Sequence, residues 1–237
     1  AAVGLSWKKP IETFSANVFG GINILDMAKE AGDDCRIVIV STAEGYEPSE
    51  GKPIDEQSKL YPSNPYAISK TALDFFSLTY YKAYNMQIKI SRSFNHIGPE
   101  QSEGFVVSDF AKQIAQIEKG IKKPEVHVGN LKAKRDFLDV RDVASAYKHI
   151  MDRGKPGNVY NVCSAKFIMI EDILKKLISF SKVKDISIII DDDKLRPVDN
   201  EIVYGDNSKI KKHTGWAPVY SIDDTLLETL NYWREIV

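Results

Sequence analysis

A tyrosine and a lysine four residues apart are the first side chains in this sequence whose types and spacing could carry out chemistry. Tyr66 and Lys70 belong to the segment Tyr-Ala-Ile-Ser-Lys, and this spacing places both side chains on one face of a helix. Because a nearby ammonium group favours phenolate over phenol, Lys70 is predicted to lower the pKa of Tyr66 from about 10. Such a tyrosine can exchange a proton with a hydroxyl or carbonyl group near neutral pH.

The segments around this pair make it more specific, since a chain with 11 tyrosines contains about one Tyr-x-x-x-Lys by chance. The run 36–41 is rich in β-branched residues, which is typical of a strand buried in a parallel sheet, and the polar segment 41–44 closes it. The run 87–92 alternates like a strand, and Asn95 follows it. Open α/β sheets bind ligands at the carboxyl ends of their strands. Both groups of polar residues are therefore predicted to line one site.

The elements that must position these residues alternate between helical and strand patterns. Apolar residues recur every three or four positions in 11–31 and 65–84, which are the two longest predicted helices. The other predicted helices are 106–119, 139–152, 170–181, 221–236 and a short one between Asp206 and Gly215, and the other predicted strands are 158–163 and 185–190. The alternation predicts an α/β fold with a parallel sheet and right-handed crossovers, followed by a small mixed lobe.

Composition limits the classes of function that are open to the chain. It has 32 basic and 33 acidic residues, a net charge of −1, which argues against broad nucleic-acid binding. No apolar run has the length of a membrane span, no signal peptide is recognisable, and no spacing of histidines and cysteines indicates a metal site. Cys35 and Cys163 lie in apolar runs and are predicted to be buried free thiols, as is typical of a cytoplasmic protein.

Several stretches together resemble a known family. They are STAEGY (41–46), NPYAISK (64–70), FNHIGPEQSEGFVVSDFAKQI (94–114), GNLKAKRDFLDVRDV (129–143), YNVCS (160–164), LRP (195–197) and TGW (214–216). On these motifs the chain is identified as a member of the extended short-chain dehydrogenase/reductase family of NAD-dependent nucleotide-sugar epimerases and dehydratases. Within that family it most resembles the branch of GDP-mannose 4,6-dehydratases and GDP-4-keto-6-deoxymannose reductases. The resemblance implies a Rossmann-like doubly wound sheet and a small mixed substrate lobe.

The resemblance also implies catalytic roles. Tyr66 would be the general acid/base, and Lys70 would hold the cofactor ribose and adjust Tyr66. Thr42 would hydrogen-bond the reacting oxygen, while Glu44 matches the acidic residue that dehydratases use as a base at the sugar. Asn17 resembles a helix asparagine that shapes the site, and a simple packing role for it is equally open.

The same resemblance implies two sets of binding residues. Those implied to bind NAD or NADP are Ser41, Tyr66, Lys70, Asn95 and His96. Those implied to bind the nucleotide sugar, a GDP-deoxyhexose, are Thr42, Asn95, Arg135, Arg196 and Asp199. The two arginines match those that clamp the diphosphate, because a planar guanidinium suits phosphate oxygens. Asp199 stands where relatives usually carry a glutamate, and for His96 a ring packed beneath its loop is favoured.

The activity implied is NAD(P)H-dependent reduction of the C4 keto group of a GDP-4-keto-6-deoxyhexose. The loop 97–101 reads Ile-Gly-Pro-Glu-Gln, and Phe137 stands where dehydratases usually have tryptophan; both differences favour the reductase. The alternatives left open are GDP-mannose 4,6-dehydratase, another nucleotide-sugar epimerase or reductase, and, more remotely, a non-catalytic cofactor-binding protein.

The resemblance extends to domain organisation and assembly. Residues 1–165 are expected to form a partial Rossmann-type domain, with 94–135 contributing to the substrate site, and 166–237 an interleaved substrate-binding lobe. No Gly-x-x-Gly-x-x-Gly turn occurs, so the family's first strands and phosphate-binding turn are expected to be missing from this chain. Relatives commonly dimerise through two long helices, so a homodimer through 11–31 and 65–84 is expected.

Overall fold

The computed structural model describes residues 3–32, 35–49, 51–194 and 201–237. Arg196 and Asp199 lie outside the described residues. The helices are α1 (Val3–Lys8), α2 (Pro10–Phe14), α3 (Gly20–Glu30), α4 (Pro65–Tyr84), α5 (Val106–Glu118), α6 (Val140–Arg153), α7 (Ile170–Ser179), α8 (Ser208–Thr214) and α9 (Ile222–Ile236). The strands are β1 (Arg36–Thr42), β2 (Gln87–Ser93), β3 (Asn95–Ile97), β4 (Glu125–Val128), β5 (Lys134–Arg135), β6 (Phe137–Asp139), β7 (Val159–Val162), β8 (Ile168–Met169), β9 (Ser187–Ile190) and β10 (Ile202–Val203).

A parallel sheet in the order β1-β2-β7 forms the centre of the fold. Successive residues of a strand point to opposite faces, and both faces are covered. Ile39, Ile88 and Ile90 belong to a core cluster with α3 and α4, whereas Val38 and Tyr160 pack in a second cluster with α6. A sheet with helices on both faces confirms the predicted α/β fold.

The helix predicted over 11–31 consists of α2 and α3, with a π-helical turn, Ser15–Phe19, between them. Pro10 occupies the first turn of α2 and separates it from α1. Gly21 in α3 allows close packing on α4, because a Cβ at that position would overlap the Leu73 side chain. The apolar periodicity predicted the helical region but not these breaks, which depend on a proline and on packing between helices.

The helix predicted over 65–84 is confirmed as α4. Asn64 caps its N-terminus, Pro65 takes the first helical position, and Asn85 ends it in the left-handed region at φ 54°. Asparagine at the N-cap, proline at the first position and asparagine after the last turn are strong boundary signals. This helix carries the Tyr-x-x-x-Lys segment towards the sheet.

A second core lies in the other lobe. Side chains of α5, α7, α9 and β4 share one hydrophobic cluster, which includes Ile114, Leu174 and Leu230. Three small sheets surround it, with strand orders β10-β5-β8, β3-β6 and β4-β9. Ile210 of α8 and Trp216 instead pack with α6 and β7. The lobe that was expected over 166–237 therefore shares its core with segments before it, and part of 166–237 packs on the central sheet.

Candidate active site

The carboxyl end of β1 carries two side chains of the predicted site. β1 and β2 run parallel with Thr42 opposite Ser93, and the chain then makes a short 3₁₀ turn, Ala43–Gly45. The Thr42 Oγ1 accepts a hydrogen bond of 3.2 Å from the Glu44 N–H. Thr42 is buried, whereas Glu44 is exposed. The turn thus holds a buried hydroxyl and an exposed carboxylate close together at the end of β1.

Asn64 joins this turn to the start of α4, and sequence interpretation missed it. Its Oδ1 accepts a hydrogen bond of 2.8 Å from the Ala67 N–H, and its Nδ2 donates one of 3.4 Å to Glu44 Oε2. One residue therefore caps the helix that carries Tyr66 and holds the Glu44 carboxylate. The available signal was the Asn-Pro pair at the predicted helix start.

Tyr66 meets the end of β1 as predicted, but the direction of its pKa shift was predicted wrongly. Burial raises the pKa of the phenol above its usual value, a polar contact with Thr42 lowers it, and the Glu44 and Tyr147 side chains raise it further. Lys70 is not among the groups that affect it. The phenol is therefore held protonated at neutral pH, which suits a proton donor.

The position of the Lys70 ammonium explains this correction. Its Nζ donates a hydrogen bond of 2.8 Å to the carbonyl oxygen of Val40 in β1. Burial lowers the pKa of Lys70, and the Asp74 carboxylate raises it in part. The ammonium thus lies between α4 and β1, where its charge is directed at the strand and at Asp74 instead of the phenol.

Two further predicted residues, Asn17 and Ser41, contact α4, the helix that carries Tyr66. The Asn17 Nδ2, in the π-helical turn, donates a hydrogen bond of 2.9 Å to Ser69 Oγ, and Ser69 in turn donates one of 2.7 Å to the Tyr66 carbonyl oxygen. The Ser41 hydroxyl is buried beside Asp74. Asn17 therefore braces the backbone of α4, and Ser41 lies in the interior.

Asn95 and His96, the candidate binding residues that directly follow β2, lie on β3, which pairs with β6, whereas Arg135 lies on β5. Asn95 Nδ2 donates a hydrogen bond of 3.3 Å to the Asp136 carbonyl oxygen. His96 places Nδ1 3.2 Å from the Phe94 carbonyl oxygen but is exposed, so the prediction of a ring packed beneath its loop is wrong. The half-buried Arg135 in β5 donates through Nη1 to the Lys134 carbonyl oxygen at 2.8 Å. Their roles in binding stay predictions.

Asp136 is a buried carboxylate that sequence interpretation also missed. It accepts hydrogen bonds from the Ser164 N–H and hydroxyl at 2.8 and 2.7 Å, and from the N–H groups of Ala165 and Gly205 at 3.1 and 3.3 Å. Burial outweighs these donors and raises its pKa to about 6. Asp136 therefore ties the segment after β7 and the segment after β10 to the strand that carries Arg135.

Comparison with known proteins places this geometry in a family. The family model described as GDP-mannose 4,6 dehydratase matches residues 1–229. The chain belongs to the GDP-mannose 4,6-dehydratase family. It is 32% identical to GDP-6-deoxy-D-mannose reductase of Pseudomonas aeruginosa, over 98% of this chain and 77% of that protein. It is 30% identical to human dTDP-D-glucose 4,6-dehydratase, over 98% of this chain and 66% of that protein.

A solved structure supports the assignment to the GDP-mannose 4,6-dehydratase family. The structure of RMD from Pseudomonas aeruginosa complexed with NADPH matches with a TM-score of 0.94 at 32% identity, covering 100% of this chain and 80% of that chain. A dTDP-glucose 4,6-dehydratase from Bacillus anthracis, in complex with NAD, shares the fold with a TM-score of 0.81. The predicted Rossmann-like sheet is confirmed.

The donors present fit one end of a nicotinamide dinucleotide. Lys70 and Tyr66 place an ammonium and a phenol beside the carboxyl end of β1, and both can hydrogen-bond ribose hydroxyls. The sequence contains no Gly-rich turn that would hold the pyrophosphate.

In the part of the chain that the structure describes, none of the helices combines the length and the apolar character that a membrane span requires.

Proposed function

We propose that this chain reduces the C4 keto group of a GDP-4-keto-6-deoxyhexose with NADH or NADPH. The observation that carries the proposal is the contact between Thr42 and the Tyr66 phenol at the carboxyl end of β1, with Lys70 one helical turn away. The reductase of Pseudomonas aeruginosa, which is similar over nearly the whole chain, supports the same reaction.

The residues of the site account for the proton in this reaction. When bound, the reduced nicotinamide supplies the hydride to C4. Tyr66 donates its phenolic proton to the carbonyl oxygen as that oxygen gains negative charge, and the Thr42 hydroxyl hydrogen-bonds the same oxygen. Because its pKa is raised, Tyr66 carries the proton at neutral pH, and water returns a proton to it afterwards.

The remaining predicted residues would position the substrate. Arg135 lies half-buried on β5, and its guanidinium suits the diphosphate. Arg196 and Asp199 are assigned to the diphosphate and the nucleotide ribose on the family resemblance alone. Asn95 is assigned to the nicotinamide end and the sugar, and its hydrogen bond to Asp136 holds it next to β6.

Dehydration of GDP-mannose is the second candidate function. The Glu44 carboxylate is exposed, is held by Asn64 and lies close enough to Tyr66 to raise its pKa. A carboxylate in that place could remove the proton at C5 during elimination across C5 and C6. The raised pKa of Tyr66 favours the reductase, because dehydration begins with an oxidation in which Tyr66, as a phenolate, must accept the proton of the C4 hydroxyl, and a raised pKa leaves less phenolate at neutral pH.

One assay distinguishes the two candidates. The chain is mixed with GDP-4-keto-6-deoxymannose and NADPH or NADH, and loss of reduced nicotinamide is followed together with the sugar product. Stoichiometric loss with a GDP-deoxyhexose product is expected. Tyr66→Phe is expected to lower the rate at least about 100-fold, whereas Tyr61→Phe, at an exposed position before α4, leaves it unchanged. No loss of reduced nicotinamide in this mixture, together with conversion of GDP-mannose to its keto product in a second mixture that holds GDP-mannose and oxidised cofactor, would establish the dehydratase.

The proposal also includes a homodimer through α2, α3 and α4. Ile11, Phe14, Phe19 and Ile68 are exposed and line one groove with Pro10 and Pro65, and exposed apolar surfaces of this kind mark interfaces. Ile11→Glu is expected to give a monomer in sedimentation velocity, while Ile121→Glu, at a similarly exposed site on the other lobe, leaves the dimer intact. A monomeric wild type would contradict the proposal.

We place the protein in the cytoplasm. Cys163 is buried and Cys35 is half-buried, so the prediction of two buried thiols holds only for Cys163. Both are free, which suits a reducing compartment. Fractionation of the source cells tests this placement, and recovery outside the cytoplasm would contradict it.

A further inference from the structure

A buried ion pair lies directly behind the Tyr66–Lys70 pair. Arg92 in β2 donates through Nε to Asp74 Oδ2 in α4 at 2.9 Å, and the two side chains are only 5% and 2% exposed. Burying two charges has a large desolvation cost, and apolar residues of similar size often give equal or better stability. Retaining charges in this position is therefore weak evidence for stability and points to a different role.

Asp74 continues the functional face of α4. Tyr66, Lys70 and Asp74 follow one another at four-residue intervals, so their side chains lie along one side of the helix. The Asp74 Oδ1 and the Ser41 Oγ are both buried and have no hydrogen-bond partner of full geometry. Burial raises the pKa of the Asp74 carboxyl, and the Arg92 guanidinium and then the Ser41 hydroxyl oppose this rise only in part. One carboxylate oxygen thus pairs with Arg92, and the other is not committed to an ion pair.

Lys70 is the cation that the remaining charge of Asp74 reaches. The carboxylate raises the pKa of Lys70, against the effect of burial, and Lys70 in turn lowers the pKa of Asp74. Asp74 is the one charged group that affects Lys70 among the described residues. Two interactions therefore act on the Lys70 ammonium: its hydrogen bond to the Val40 carbonyl oxygen, and the attraction of the Asp74 carboxylate.

Arg92 is in turn fixed from its other side. Its guanidinium lies over the Tyr46 ring, 4.9 Å from the ring centroid, and the Tyr46 hydroxyl donates a hydrogen bond of 2.8 Å to Asn161 Oδ1 in β7. In the sheet, Arg92 stands opposite Ser41 on one side and Asn161 on the other. The groups that face Asp74 are Arg92 from β2, Lys70 from its own helix, Ser41 from β1 and the Tyr46 phenol after β1.

We propose that Asp74 is a positioning residue of the site: it holds the Lys70 ammonium charged and in place between α4 and β1, while Arg92 keeps Asp74 itself ionised. Asp74 acts through Lys70 and touches neither substrate nor cofactor. The inference rests on the proposed function only in treating Lys70 as part of a catalytic pair. The electrostatic coupling of Asp74 to Lys70 can be measured without any substrate.

The test is a titration of Lys70 in the full chain by carbon-13 NMR of its Cε, assigned by loss of the signal in Lys70→Arg. Asp74→Asn is expected to lower the pKa of Lys70 by about one unit, the low end of the effect of a nearby opposite charge, because it removes the carboxylate that raises it. Asp74→Glu is expected to restore most of the wild-type value. Asp26→Asn is the control: it removes an exposed carboxylate of α3 that accepts a hydrogen bond from Tyr80 of α4. It is expected to leave the pKa of Lys70 unchanged.

Two further measurements keep the test decisive if Asp74→Asn does not fold. The double variant Asp74→Asn/Arg92→Gln removes both charges of the pair and is also expected to lower the pKa of Lys70. In the wild type, the Asp74 carboxyl carbon is expected to shift as Lys70 loses its proton, and this step is expected to vanish in Lys70→Arg. An unchanged Lys70 titration in a folded variant, or no step at Asp74 in the wild type, overturns the inference.

The outcomes also separate this inference from the proposed function. A shifted Lys70 titration together with a wild type that turns over no nucleotide sugar would sustain the coupling and refute the function. Turnover by the wild type with an unchanged Lys70 titration in Asp74→Asn would do the reverse. With both in place, Asp74→Asn is expected to lower kcat in the reductase assay and to move the alkaline limb of its pH profile to lower pH.

Discussion

Replacing Glu118 by glutamine tests whether an ion pair between α5 and α9 stabilises the second lobe. The Glu118 carboxylate accepts from Arg234 Nε at 2.7 Å, from Arg234 Nη2 at 2.8 Å and from the Lys182 N–H at 2.9 Å. The two side chains are 7% and 20% exposed. Glutamine keeps the shape and one acceptor but removes the charge, so the variant isolates the electrostatic contribution.

The expected magnitude follows from the pKa of Glu118, which the arginine lowers from 4.5 to about 2. A difference of this size corresponds to an upper limit of about 3.4 kcal/mol at neutral pH. Partial exposure of Arg234 screens the pair, so we expect Glu118→Gln to reduce the free energy of unfolding by about 2 kcal/mol. In a chain of this length that loss lowers Tm by about 4–8 °C.

Urea unfolding at several pH values checks both the size and the sign. The native pKa lies below the unfolded one, so the stabilisation is complete above about pH 5.5 and is lost as the pH falls through 4.5 towards 2. Asp223→Asn is the matched control, because it breaks the ion pair between Asp223 of α9 and Lys176 of α7. These two side chains are 52% and 38% exposed, so the loss in free energy of unfolding is expected to stay below about 0.5 kcal/mol. Equal losses in both variants at neutral pH, or a Glu118→Gln loss that stays as large near pH 2 as at pH 7, would refute the reasoning.

Three other substitutions have defined outcomes. Gly157→Ala is expected to lower the free energy of unfolding in urea by at least about 2 kcal/mol, because φ is +73° and the new Cβ would overlap the Tyr81 ring. Gly120→Ala is the control, since φ is +70° there but the space around it is open, so it measures the backbone cost alone, about 1 kcal/mol. Equal losses in the two variants would show that the overlap with Tyr81 costs nothing. Asn64→Ala is expected to lower stability by about 1 kcal/mol through loss of the α4 cap, and a Tm equal to that of the wild type would contradict the capping role. Burial raises the pKa of Asp136 to about 6 in the folded protein, above its unfolded value, so this residue makes the protein less stable as the pH rises from about 4 to 6. Asp136→Asn is expected to remove this decrease in the free energy of unfolding. An unchanged pH dependence of unfolding in the variant would contradict the raised pKa.

Elements with strong local signals could be predicted from the sequence. The β-branched run at 36–41 lies in β1, and the helix predicted over 65–84 is α4, whose boundaries are marked by Asn64, Pro65 and Asn85. The meeting of Thr42 with Tyr66 followed from the rule that parallel strands direct their carboxyl ends to one edge. Local chemistry decided these features, so the sequence contained the information.

Features set by packing could not be predicted in the same way. The two-residue strands β5, β8 and β10 exist only because distant segments pair, and no periodicity can show in two residues. The spacing of Tyr66 and Lys70 indicated nearness, but the direction of the pKa shift depends on burial and on the Val40 carbonyl that accepts from Lys70. The buried carboxylates Asp74 and Asp136 had no local signal, because their donors are mostly distant in sequence.

The path of the chain between its hydrophobic clusters limits how the protein can move. The cluster of α5, α7 and α9 takes residues from 97–137, 170–177 and 226–233, while the cluster of α6 and β7 takes residues from 138–162 and 210–216. Between residues 97 and 233 the polypeptide therefore crosses between the two clusters four times. A rigid rotation of one lobe would have to bend four connections at once, unlike a two-lobed protein with a single linker. We expect substrate capture to involve rearrangement of individual loops and the two lobes to unfold in one cooperative transition.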